Sequence, residues 1–341
     1  MAWIWIGFIA FVLGMLALDL GVFNRKAHVI KISESLAWTA FWVALALAFN
    51  VLVYFLYEHH WMGLGQEAGF ELTGGQAALQ FFTGYVIEES LSLDNIFVIA
   101  LIFTYFGVPA MYQHRALFWG IMGAIVMRGT MIVGGLALIR RFEWIIYVFG
   151  AFLIFTAIKL LAGKQERMEP DKNPLVRLAR RLYPVSPGFE KEKFFIRLNG
   201  HRAVTPLFLV VLVVESSDVL FAVDSIPAIF AVTRDPFIVF TSNIFAILGL
   251  RSLFFTVAGL MDKFRYLNIS LAFVLGYVGV KMLLSHYYPI PIPISLAIIA
   301  AILSSGILAS LLAARRQRGS RPPPMIKEMD QFAASAPKRG L

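Results

Sequence analysis

Nine apolar runs divide the chain, at residues 3–23, 36–57, 79–107, 114–138, 143–163, 204–232, 237–260, 267–286 and 291–314. Each is long enough to cross about 30 Å of hydrocarbon as a helix. Within hydrocarbon every backbone N–H and C=O must find a partner inside the protein, and a run of this kind does so by becoming helical. The expected fold class is therefore an all-α polytopic membrane protein with about nine transmembrane helices. Composition agrees, since 59% of the 341 residues are hydrophobic and only 15% charged. The first run, "MAWIWIGFIAFVLGMLALDLGVF", has no basic start and no small-residue cleavage site, so it reads as a retained span.

Cysteine is absent, which removes disulfides, thiolate metal sites and Cys nucleophiles together. The net charge of +9 would suggest nucleic acid in a soluble protein. Here most of the basic residues sit in loops and tail, where orientation in the membrane explains them, so no nucleic-acid partner is expected. Lys164 to Arg202 holds ten Lys/Arg against five Asp/Glu, whereas 58–76 holds none of either base. The positive-inside rule then puts the 24–33 loop, the 164–202 loop and the C-terminus in the cytoplasm and the N-terminus outside, as in a multi-pass protein of the inner (plasma) membrane. Arg140 and Arg141, in an outside turn, dissent.

The third to fifth spans resemble the sixth to eighth. "EESLSLDN" places Glu88 and Asp94 six residues apart, and "DVLFAVDS" gives Asp218 and Asp224 the same spacing. An arginine follows in each half, Arg128 and Arg251, then a lysine, Lys159 and Lys281, at intervals of 31 and 30 positions. Three spans per unit is an odd number, so the second unit must be inverted relative to the first. The expected organisation is two N-terminal helices (1–78), a first three-helix repeat (79–163), a basic cytoplasmic loop (164–203), a second, inverted repeat (204–286), a last helix (287–314) and a basic, Pro-rich, disordered tail (315–341). Inverted repeats are a transporter architecture with the site at the midplane.

Carboxylates inside a membrane are costly and mark ion or proton pathways. Glu88, Asp94, Glu215, Asp218 and Asp224 are the candidate metal-binding set. Six residues along an ideal helix is about 9 Å of rise and roughly 240° of rotation. Paired acids on one helix therefore cannot grip one ion unless the helix unwinds, or else each serves a different layer. Pro227 has no N–H, so the carbonyl of Val223 loses its helical donor beside Asp224. Asn95, Ser225 and Asn243 add neutral oxygens. Such a donor set suits Mn²⁺, Mg²⁺ or Ca²⁺; zinc or copper would recruit His or Cys, and the six histidines all lie at span ends or in loops, where most should be surface residues. With Glu89 included, six acids against Arg128, Arg251, Lys159 and Lys281 leave two negative charges, which one divalent ion would neutralise. A titrating acid would also serve a proton-coupled exchanger.

Other readings fit fewer of these residues. Structural salt bridging would explain the charges without an ion, and Lys159 could snorkel to the headgroups. Asp19 suits an interfacial cap. No HExxH or GxSxG is present, so enzymatic activity is not expected; an aspartyl dyad of Asp94 and Asp224 would leave the other acids and the paired lysines unexplained. A membrane scaffold using the basic loop and tail remains the alternative class.

"ALDLGVFNRKAHVI", "EESLSLDNIFVIALIF", "YQHRALFWGI" and "FAVDSIPAIFAVTRDPFIVFTSNIFAILGLRSLFF" resemble the TerC family of integral membrane proteins, from about Asp19 to Lys281. That family is named for tellurium resistance, is linked to manganese export and to supplying metal to proteins outside the cytoplasm, and is grouped with LysE-type exporters. The resemblance implies the inverted repeat, Mn²⁺ as the transported ion with no permanent cofactor, and the family's intramembrane acids at Glu88, Asp94, Glu215, Asp218 and Asp224. It also implies membrane or secreted proteins that receive metal as partners, and, as an alternative, a scaffold in metal delivery or the tellurite-stress response without transport of its own.

Overall fold

The structure, a computed structural model, describes residues 2–18, 32–67, 70–162, 173–198, 200–258, 266–288 and 290–319. Asp19, the 24–31 part of the first basic loop, residues 163–172 and the tail beyond 319 lie outside them. Among the described residues there are ten α-helices: α1 (Ala2–Leu18), α2 (Ile32–Glu58), α3 (Gly74–Phe106), α4 (Ala110–Arg141), α5 (Ile145–Leu161), α6 (Pro174–Leu182), α7 (Pro206–Phe230), α8 (Pro236–Ala258), α9 (Leu267–Leu284) and α10 (Ile292–Gly319). The chain is an all-α membrane protein. All the helices except α6 overlie the apolar runs. Five of them, α2, α4, α7, α8 and α10, are long and apolar enough to cross a membrane; α1, α5 and α9 are apolar but shorter. α3 is 33 residues long and carries Glu88, Glu89 and Asp94.

Local chemistry sets the helix ends. Thr73 and Gln76 form a reciprocal capping box at the start of α3. Asp235 caps α8 by accepting from the N–H of Phe237 at 2.9 Å and of Ile238 at 3.0 Å, and it also accepts from Tyr57 Oη at 2.8 Å. Asn173 caps α6, with Pro174 in the first position, where a missing N–H costs nothing.

The helix order around the centre follows from which faces are apolar all round. In the most apolar stretch of α8 89% of residues are buried, against 17% in α2 and α10, so α8 is central and those two face lipid. α3 and α4 each pack on both α7 and α8, α5 packs on α9, and α2 lies across α3 and α8. Each helix of the first three therefore touches its counterpart in the second three: α3 with α7, α4 with α8, α5 with α9. An aromatic cluster of Phe8, Phe49, Phe81, Phe237 and Phe245 joins α1 and α2 to this centre.

Three features depart from the sequence reading. The segment expected as a basic loop is folded over its described part, into α6 and an antiparallel hairpin. Two short strands, β1 (Gln66–Glu67) and β2 (Phe70–Glu71), pair in the opposite connection. The hairpin consists of β3 (Phe195–Leu198) and β4 (His201–Val204), with Phe195 opposite Val204. It leads directly into α7, and Val176 and Ala179 of α6 are buried against Leu207 and Val210 there. The last helix runs on to Gly319, so the tail begins later than expected.

Candidate ion site

Arg128, in the middle of α4, is 1% exposed and among the largest fully buried side chains. Its guanidinium lies between the two repeats. Nη1 donates to Glu88 Oε1 on α3, while Nε and Nη2 donate to Asp218 Oδ2 and Oδ1 on α7 at 3.0 and 2.8 Å. Nη1 also reaches Ser225 Oγ at 3.4 Å. The second oxygen of Glu88 accepts from Asn243 Nδ2 on α8 at 2.9 Å, and Asp218 Oδ1 accepts from Asn95 Nδ2 on α3 at 3.4 Å. Glu88 and Asp218 hold matching positions in the two sequence repeats, so one planar cation clamps an equivalent pair of acids. The fork of a guanidinium fits this, since it offers donors on two edges at once.

One guanidinium against two carboxylates leaves a negative charge, and the neutral donors around it leave oxygens over. The Oδ1 atoms of Asn95 and Asn243, and Oγ of Ser92, are buried without a hydrogen-bond partner. Both amides turn their NH₂ to a carboxylate, which aims the carbonyl elsewhere. Unpaired buried carbonyl oxygens are expensive, and a cation is the partner they would suit. A small cavity of about 20 Å³ adjoins Asn95, lined also by Ser217, Asp218, Phe221 and Arg251 among others. It has room for one water or one bare ion.

The remaining acids do not join this cluster. Asp94 and Asp224 lie within electrostatic range of each other on α3 and α7. Asp224 accepts from Thr156 Oγ1 on α5 at 2.9 Å and also feels Lys159. Glu215 feels the charge of Asp218 and lies directly over Gly123 of α4, its carboxyl group filling the place a Cβ would take there. Among the described residues no three Asp, Glu or His side chains converge closely enough to hold a metal between them. The five acids are thus spread over a clamp, a pair of aspartates within electrostatic range of each other, and one flanking glutamate.

α3 and α7 explain the spread. Both are unbroken helices, α7 continuing through Pro227 to Phe230. The expected helix break at Pro227 does not occur, since the chain stays helical through it to Phe230; Pro227 still offers no N–H to the Val223 carbonyl. The alternative geometry applies, each helix giving one acid to one layer and one to another. Lys281, expected among the charge-balancing bases, lies apart from the clamp and lines a vestibule of about 570 Å³ at the far end of the bundle, with Gln80, Arg140, Glu143, Phe230, Arg234 and Asp235. Glu89, turned away from Glu88, faces Gly249 of α8 and has one buried oxygen with no partner. His59, His60, His201 and His286 are exposed. Thr156 and Gly123 were missed by the sequence reading; Thr156 lies one turn before Lys159, and only that spacing hinted at it.

A family model described as "Integral membrane protein TerC family" matches residues 73–318, which contain every residue of the clamp. The chain belongs to the TerC family. The membrane protein STKORF319 of Myxococcus xanthus is 53% identical over 312 residues, covering 92% of this chain and 93% of that one. "Putative membrane-bound redox modulator Alx" of Escherichia coli K12 is 46% identical over 301 residues, covering 88% and 91%. A membrane protein of Rickettsia bellii is 39% identical over 308 residues, covering 90% and 97%. No solved structure matches this TerC protein.

Proposed function

We propose that this TerC family protein exports a hard divalent cation, Mn²⁺ first among them, through the layers of acids between α3 and α7. The observation that carries the reading is the group of unsatisfied buried oxygens of Asn95 and Asn243 beside the negatively charged Arg128 clamp. Oxygen donors without sulfur or imidazole favour hard ions. The separated layers suit a pathway better than a resident site: Asp94 and Asp224 would pass the ion, and the clamp would set the field it meets. Rocking of one three-helix unit against the other would alternate access. The arginines of α6 and the hairpin support a cytoplasmic position for that end, which makes the 570 Å³ vestibule the exit.

The test is Mn²⁺ uptake into liposomes holding the purified protein, with and without a pH gradient, beside Asp224→Asn. Uptake lost in the variant supports a transporter, and dependence on the gradient makes it a proton antiporter. No uptake by folded protein defeats the proposal in favour of metal delivery or scaffolding.

A further inference from the structure

We propose that α6 is an interfacial helix that binds anionic lipid, with Arg177 and Arg181 on the headgroup phosphates and Leu175, Leu178 and Leu182 in the acyl layer below. The three leucines lie within about 60° of one another around the helix, and they are 41%, 52% and 63% exposed. On one side of this stripe Val176 and Ala179 are buried against α7. On the other, Arg181 and Arg177 follow within the next ~100° of arc, both exposed. Residues 173–183 carry three arginines and no acid. A soluble loop would turn its arginines to water and bury its leucines. Here the leucine stripe is left open beside the bundle wall, which is where lipid begins.

The surroundings have the make-up of a membrane interface. The Tyr183 ring lies 6.5 Å from that of Phe195, and the Phe195 ring 4.9 Å from that of Phe208 in the first turn of α7. Trp119 of α4 meets Phe194 at 6.1 Å. Aromatic residues concentrate at the headgroup level of spanning helices. The open leucines are continuous with this belt, and the arginine arc complements a negatively charged leaflet.

The experiment titrates the full-length protein in detergent with phosphatidylglycerol or phosphatidylcholine and counts bound lipids by native mass spectrometry. Wild type is expected to prefer phosphatidylglycerol. Arg177→Gln with Arg181→Gln is expected to weaken phosphatidylglycerol binding by roughly 30-fold and leave phosphatidylcholine unchanged. Arg197→Gln, an exposed arginine of β3, should change neither. Leu178→Ser should weaken both lipids alike. No preference in wild type, equal loss in Arg197→Gln, an inert Leu178→Ser, or displacement of the lipid by inorganic phosphate would each overturn the proposal. Because α6 is tested by lipid binding and not by transport, its failure leaves the transport reading standing.

Discussion

Arg128 on α4 donates to Asp218 on α7 through two hydrogen bonds, Nε to Oδ2 at 3.0 Å and Nη2 to Oδ1 at 2.8 Å, while the same guanidinium holds Glu88 on α3. Three helices from the two repeats are thereby tied at one buried point. Removing one partner from such a cluster leaves charge uncompensated in a low-dielectric interior. Arg128→Gln should lower stability by about 3–5 kcal/mol, measured by unfolding in detergent. Adding Glu88→Gln to it should recover part of that loss, as a double-mutant cycle would read. Arg128→Lys keeps the charge but not the fork, and should fall between the two.

Asp94 and Asp224 stand apart from that clamp. Asp94→Asn and Asp224→Asn should abolish Mn²⁺ binding and uptake while stability changes by less than about 1.5 kcal/mol, the scale of one hydrogen bond. Asp218→Asn should lose both transport and stability. Melting curves beside the uptake assay separate the two classes; a large stability loss in Asp224→Asn would make the aspartate pair structural.

Gly123 is the floor on which Glu215 rests. Its missing Cβ is the space the Glu215 carboxyl occupies. Gly123→Ala should displace that carboxyl and cost about 1–3 kcal/mol from overpacking. Gly123→Ala combined with Glu215→Ala should restore stability but not transport. If the single variant melts and transports like wild type, the contact has no consequence.

α5 and α9 approach through Gly150 and Gly279. A Cβ on Gly279 would lie 2.7 Å from the Gly150 carbonyl oxygen and 2.8 Å from Ile154 Cγ1. Backbone cannot yield as a side chain does, so Gly279→Ala should cost about 1–3 kcal/mol. Gly276, one turn earlier, would meet only Ala157 Cβ at 3.6 Å, an ordinary contact. Gly276→Ala should therefore be near neutral, and thermal melting of the two side by side decides whether close packing matters there.

Much of this protein was legible along the chain because the signals are local. Long apolar runs become helices wherever they sit, since hydrocarbon offers the backbone no other partner. The matched acids of "EESLSLDN" and "DVLFAVDS", each followed by an arginine and then a lysine at near-equal intervals, marked Glu88, Asp218 and Arg128 before any contact was seen. The oxygen-rich, sulfur-free donor set likewise follows from composition.

Other properties belong to the arrangement of helices about one another. Whether Arg128 pairs with Glu88, Asp218 or neither depends on the rotation of α4 against α3 and α7, and that rotation is set by packing between segments up to 130 residues apart in sequence. Lys281 looked like a counter-charge by its interval from Arg251, yet it stands in the last turn of α9 and lines the vestibule. The open leucines of α6 could not be told from a buried face by periodicity, because both give the same apolar arc. The sequence by itself determined which segments enter the membrane and which charges go with them. Only the tertiary structure decided which of those charges meet, because a helix fixes the direction of its own side chains but not what stands opposite them.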